Sequence, residues 1–299
     1  MDNLRGSLFM VLAMALFAIE DMFIKQMSGT LPVGQILWML GGGGAIVFAA
    51  WERAAGRPLW TRAMLHGGVL GRTACEMVGT VGFVTALALT PISSASAILQ
   101  AVPLVVTLGA ALFLGESVGW RRWTAIFVGL LGVLVILRPG MDGFRPASLF
   151  AVMGVIGLAG RDIVTRLAPG SVTAGQFSVS AFLGLVPTGL LLLLLSGEGN
   201  VAPDTVNAVR IAGSIVIGTL AYASIVIATR TGSVAHVAPF RYSRIVFALT
   251  TGYFVFGERP DAWTYVGIGI VVGSGVYTFL REARARPVPP ASLARGGRI

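Results

Sequence analysis

The 299-residue chain carries a single cysteine, Cys75, and two histidines, His66 and His236. One cysteine excludes an intrachain disulfide framework and any cysteine-based zinc site. Charged residues make up only 12%, against roughly 25% in an ordinary soluble domain. That is too few to coat two soluble domains of this total length, which argues against most cytosolic enzymes and against a disordered scaffold. No phosphate-binding P-loop is present, so ATP is not the direct energy source. There is no H-E-x-x-H motif, no G-x-S-x-G elbow and no acidic metal cluster, and no cofactor is implied; an intramembrane enzyme therefore lacks its usual chemistry. No ring of like charges or filter-like segment points to an ion channel.

What the chain does have is apolar length. Hydrophobic types make up 55% and the mean hydropathy is +0.83. Windows of about 20 apolar residues predict ten membrane-spanning helices at 6–27, 33–52, 67–89, 93–114, 120–138, 147–167, 173–195, 208–230, 235–256 and 262–281. Most breaks carry turn chemistry, such as Thr90-Pro91, Pro139-Gly140 and Pro169-Gly170. The first span reads as uncleaved, because Glu20, Asp21 and Lys25 follow its apolar run Leu8 to Ile19 instead of a small-residue cleavage site. The tail from 284 to 299 is basic and rich in Pro, Gly and Ala, a disordered composition. The net charge of +9 falls mainly between apolar runs, so it speaks for membrane orientation and not for nucleic acid. With the N-terminus inside, thirteen Lys and Arg lie in inner segments, against Lys25, Arg138, Arg145, Arg210 and Arg259 outside. Both termini are thus expected in the cytoplasm.

The chain also matches itself. At a shift of 141 residues, Ser7-Leu8-Phe9 meets Ser148-Leu149-Phe150, Asp21 meets Asp162, Lys25 meets Arg166, and Gly34-Gln35 meets Gly175-Gln176. At a shift of 142, Gly115-Glu116 meets Gly257-Glu258. The division is a first five-helix repeat over 1–140 and a second over 141–283. Five is odd, so the second repeat enters the membrane inverted, a transporter architecture with half-sites facing opposite sides.

The five-plus-five layout, Pro103 inside the fourth span, and the Gly-Glu pairs closing the fourth and ninth spans resemble the ten-helix EamA-type members of the drug/metabolite transporter superfamily. The resemblance covers about 280 residues. Within that group the chain is most similar to the YddG-type amino-acid exporters. The resemblance implies a central cavity lined by spans 1, 3, 4, 6, 8 and 9.

A charge within the bilayer is costly, so each one requires a reason. Arg72 and Glu76 share a face of span 3; Arg241 and Arg244 share one of span 9, beside Tyr242, with Pro239 able to kink the helix. A guanidinium offers a planar fork suited to carboxylate or phosphate. The competing reading pairs these arginines with Glu20, Asp21, Glu76 or Asp162. In the repeat register, Arg241 and Arg244 correspond to Leu99 and Val102, and Arg72 and Glu76 to Ser214 and Gly218. Charges that break the symmetry are better functional candidates than those that keep it. Asp21–Lys25 and Asp162–Arg166 keep it, and their i,i+4 order is that of structural helix pairs. Glu20, Asp21 and Asp162 are the candidate proton or charge sites, while Phe83 and Tyr222 are candidate cavity aromatics. The two Gly-Glu pairs are expected to cap or turn helices at the surface. Glycine-rich stretches allow close helix packing and leave monomer and weak homodimer both open.

The function expected is a secondary transporter of the bacterial inner membrane that exports small metabolites, amino acids in the first instance, by alternating access. Efflux of cationic drugs is the alternative within the class. The substrate-binding residues expected are Arg244, Arg241, Tyr242, Arg72, Glu76, Phe83 and Tyr222.

Overall fold

The computed structural model describes residues 2–116, 118–141, 143–231 and 234–285. The first half forms α1 (Asp2–Met27), α2 (Val33–Ala54), α3 (Gly67–Leu89), α4 (Ile92–Leu99), α5 (Val102–Phe113) and α6 (Trp120–Leu137). The second forms α7 (Leu149–Thr165), α8 (Ala174–Ser196), α9 (Thr205–Thr231), α10 (Val234–Val237), α11 (Ser243–Phe256) and α12 (Ala262–Ala285). No strand occurs among the described residues. Nine stretches among them are long and apolar enough to cross a bilayer, with α4 and α5 counted as one. The tenth span is the broken one that ends in α11. Outward-facing apolar side chains such as Phe113, Leu194 and Phe254, 78–79% exposed, face what would be lipid.

Two predicted spans are not single helices. Span 4 breaks at Gln100-Ala101 into α4 and α5. Pro103, near the start of α5, has no N–H to give the Leu99 carbonyl, and its ring crowds that carbonyl. Span 9 breaks at the repeat-related place, where a 3₁₀ turn over Ala238–Tyr242 precedes α11; there Pro239 removes the donor. The Gln100 side chain donates to the Arg241 carbonyl at 3.4 Å, so the two breaks meet. At the C-terminus α12 continues through Ala285, two residues into the predicted tail; residues 286–299 of that tail lie outside the described residues.

Every major helix contact joins one half to the other. α2 packs on α8, α6 on α12, α1 on α9 and α3 on α7. Exchanging the halves maps this set onto itself, so the bundle has a pseudo-two-fold axis. Hydrogen bonds obey the same exchange. Gln35 donates to the Val201 carbonyl at 2.6 Å and accepts from its N–H at 2.8 Å. Its counterpart Gln176 donates to the Pro58 carbonyl at 2.7 Å. Each buried glutamine thus ties its own helix to a loop of the other half. The α2–α8 crossing depends on small residues: a Cβ at Gly34 would lie 2.6 Å from the Gly189 carbonyl oxygen. Close backbone approach of this kind is how helices associate where lipid supplies no hydrophobic drive.

Candidate functional site

Four polar groups lie inside this apolar bundle. Chain alternation puts the ends of α1 and α11 and the start of α4 at one end of the bundle, called the Lys25 end below. The ends of α5 and α7 lie at the other, the Arg166 end.

The first group is a buried ion pair. Arg244 of α11 donates to Asp21 of α1 from Nη2 at 2.6 and 2.9 Å and from Nε at 3.2 Å. Asp21 is 3% exposed. The guanidinium lies between the rings of Phe17 and Phe83, 5.2 and 5.3 Å from their centres. Fork geometry and flanking π faces both favour the cation. The expected carboxylate grip is therefore occupied by the protein's own acid, and Phe83 serves as a wall of that pair.

The second group lies toward the Arg166 end. Arg161 of α7 binds Glu76 of α3 at 2.8 Å and Asp162 at 2.9 Å. Arg72 reaches Glu76 at 3.3 Å and stacks on Phe177, 4.7 Å from the ring centre. Arg241 lies within electrostatic range of Asp162 and Arg161. Its guanidinium makes no hydrogen bond or ion pair among the described residues. Arg72, Arg161 and Arg241 against Glu76 and Asp162 leave one positive charge in excess. Arg161 completes this network although sequence reasoning did not count it as a binding residue.

The third group is a pair of clasps. Lys25 donates to the Leu87 and Thr90 carbonyls at 3.0 and 2.6 Å and faces Glu258 at 3.9 Å. Glu258 accepts from the backbone N–H groups of Ile92 and Ser93 at 2.7 and 3.0 Å and from the Ser93 hydroxyl at 2.6 Å. It caps the first turn of α4, a helix of the other half, where a negative charge also meets the positive end of the helix dipole. At the opposite end Arg166 pairs with Glu116. Lys25 and Arg166 are repeat counterparts, as are Glu116 and Glu258, and both bridges cross between the halves. Their burial differs: side-chain exposure is 15% and 11% at Lys25–Glu258, but 45% and 47% at Arg166–Glu116.

The expected i,i+4 pairs are accordingly overturned. Asp21 binds Arg244 and not Lys25, and Asp162 binds Arg161 and not Arg166, because in each case a guanidinium on another helix or the adjacent residue offers better geometry. Glu258 is also no surface cap. Both clasps were open to discovery in the repeat register, since a base and an acid each recur at one offset.

The fourth group is Glu20, which makes no hydrogen bond or ion pair among the described residues. It borders a narrow pocket with Leu40, Gly44, Phe182, Ser214 and Gly218. Of the remaining candidates, Tyr242 is buried against α12, with its ring 6.2 Å from that of Phe279 and no partner for its hydroxyl. It lies within electrostatic range of Arg241. Tyr222 donates to the Ala174 carbonyl at 3.1 Å and meets Phe48 edge-on at 5.1 Å, tying α9 to α2 and α8. Outside the spans, Asp261 accepts from Arg138 and from the Thr264 N–H. These donors hold its carboxyl down at about 2, below the ordinary 3.8.

Residues 4–138 and, separately, residues 147–280 match the EamA-like transporter family. The chain is 27% identical over 213 residues to an S-adenosylmethionine uptake transporter of Rickettsia conorii, covering 69% of each chain. It is 27% identical over 273 residues to a riboflavin transporter of Vibrio cholerae, covering 90% of this chain and 91% of that one. To the pseudopaline exporter of Pseudomonas aeruginosa it is 28% identical over 276 residues, covering 89% and 93%. A solved crystal structure shares the fold, with TM-score 0.60 at 18% identity over 94% of this chain and 99% of that one.

Proposed function

The chain belongs to the EamA-like transporter family, and from that premise we propose that it exports small carboxylate-bearing metabolites, amino acids first among them, across the bacterial inner membrane by alternating access. The observation that carries this reading is the pair of crossed clasps. They are repeat-related, lie at opposite ends and bridge the two halves, and one is sealed while the other is wet. Rocking one half against the other would exchange their states, as alternating access about a central site requires. In the orientation expected from the Lys/Arg balance, the Lys25 end faces outward and both termini face the cytoplasm.

Arg241 supports a carboxylate-bearing solute. Its guanidinium is unmatched in a cluster with one excess positive charge, which favours an anionic group and disfavours a purely cationic drug. Asp162, within electrostatic range of Arg241, is the acid nearest to hand for an ammonium. Weight thus moves from Arg244, whose fork Asp21 fills, to Arg241. S-adenosylmethionine, the solute named for the Rickettsia relative, itself ends in an amino-acid group.

Purified protein in liposomes tests this with a panel of labelled amino acids and their neutral-ended amides, with and without a pH gradient. The reading expects an amino acid to move chemically unchanged and its amide to move less. Movement of amides alone would remove the carboxylate site, and a chemically altered solute would favour an enzyme.

A further inference from the structure

The repeat exposes a missing partner. At a shift of 141, Glu20 of α1 corresponds to Arg161 of α7; at 142, Glu76 and Arg72 of α3 correspond to Gly218 and Ser214 of α9. In one half, Arg161 and Glu76 close an ion pair of 2.8 Å between α7 and α3. At the equivalent α1–α9 contact, Glu20 faces a glycine: a Cβ on Gly218 would lie 2.6 Å from its Oε1. Where Arg72 would stand, the fully buried Ser214 hydroxyl has no hydrogen-bond partner. Neither position supplies a cation to Glu20: one is a glycine and the other a serine. The pocket left there has room for about one water-sized group.

The neighbours do not supply the charge. From α2, α8 and α9 the pocket receives Leu40, Gly44, Phe182, Ser214 and Gly218, none of them charged. The charged groups in range are Asp21 and Arg244, and Arg244 is committed to Asp21 through three hydrogen bonds. An ionised Glu20 would be one uncompensated negative charge within an apolar bundle, a costly state. Binding one proton at a carboxylate oxygen removes that charge and fits the available space.

Resting on the transporter reading, we infer that Glu20 is the proton-carrying site of the transport cycle, with Ser214 and Gly218 forming its pocket. Glu20 takes up and releases its proton only when the rocking of α1 against α9 opens this contact to water on one side or the other, and it holds the proton while the contact is closed.

The first measurement needs no transported solute. Dicyclohexylcarbodiimide modifies protonated carboxyls in apolar surroundings. In purified protein it should label Glu20, faster as pH falls, and spare the ion-paired Asp21, Glu76 and Asp162. Absence of labelling at Glu20 over the whole pH range, or labelling slowed by sodium and indifferent to pH, overturns the proton site. The second measurement follows the flux of a mixture of labelled amino acids into proteoliposomes under an imposed pH gradient. Glu20→Gln flux, whatever its size, should no longer respond to the gradient, while Glu20→Asp should keep the response. A full response in Glu20→Gln overturns the proposal. Should Glu20 label as expected while no solute moves even with wild-type protein, the transport reading falls and the proton site stands.

Discussion

Removing the carboxylate of Glu258 should unseal the Lys25 end far more than removing Glu116 opens the other. Glu258 accepts two backbone N–H groups and a hydroxyl at 2.6–3.0 Å and is 11% exposed. Hydrogen bonds to a charged group contribute about 1.5–3 kcal/mol each, but water replaces part of this once the end opens. A net loss of about 3 kcal/mol for Glu258→Ala shifts the sealed-to-open ratio about 100-fold, since each 1.4 kcal/mol is tenfold. Arg166–Glu116 is 45% and 47% exposed; exposed pairs contribute about 0–1 kcal/mol, so Glu116→Ala should shift the ratio by at most about fivefold. The assay is labelling of a single cysteine by a membrane-impermeant maleimide. The probe position is Ala86→Cys in a Cys75→Ser background, because Ala86 is fully buried beside the Lys25 contacts. Labelling should accelerate strongly with Glu258→Ala and barely with Glu116→Ala. Equal acceleration, or none with Glu258→Ala, would refute the unequal clasps.

Further outcomes follow from the same contacts. Arg244→Gln strands the buried Asp21 and should cost about 3–5 kcal/mol, read as a large fall in thermal midpoint; adding Asp21→Asn should recover much of it, and simple additivity would deny the pair. Arg241→Gln should leave the thermal midpoint nearly unchanged yet reduce flux of amino acids more than that of their amides; equal reduction would remove it from the solute site. The lowered carboxyl of Asp261 contributes stability that is present above the ordinary 3.8 and is lost as pH falls through about 2. The wild-type thermal midpoint should therefore fall more steeply over that window than that of Asp261→Asn.

The sequence was informative about everything that depends on apolar length and on recurrence. Nine described spans and the family match in two blocks agree with the ten predicted segments and the repeat. The breaks in spans 4 and 9 were harder to read, because a proline inside an apolar run is compatible with a kink, a 3₁₀ turn or a chain break. The site was legible as an inventory of charges but not as a wiring diagram. Asp21 and Lys25 lie one helical turn apart, yet Arg244, 223 residues away in sequence, supplies the partner. Local spacing carries no signal for such a contact, whereas the repeat offset does. Applied to Lys25, Arg166, Glu116 and Glu258 together, it points to crossed bridges. Tyr242, expected at the substrate site beside Arg241, is in electrostatic range of that guanidinium but lies buried in a 3₁₀ turn with its ring against Phe279 of α12, a packing direction that adjacency in sequence does not carry.

The central claim, alternating access through two clasps that must each open in turn, is tested most directly by locking them one at a time. In the Cys75→Ser background, Lys25→Cys with Glu258→Cys and, separately, Arg166→Cys with Glu116→Cys are cross-linked in proteoliposomes, and amino-acid flux is measured before and after reduction. Each cross-link alone should abolish flux, and reduction should restore it in both. Flux that continues with either clasp covalently closed would contradict the account.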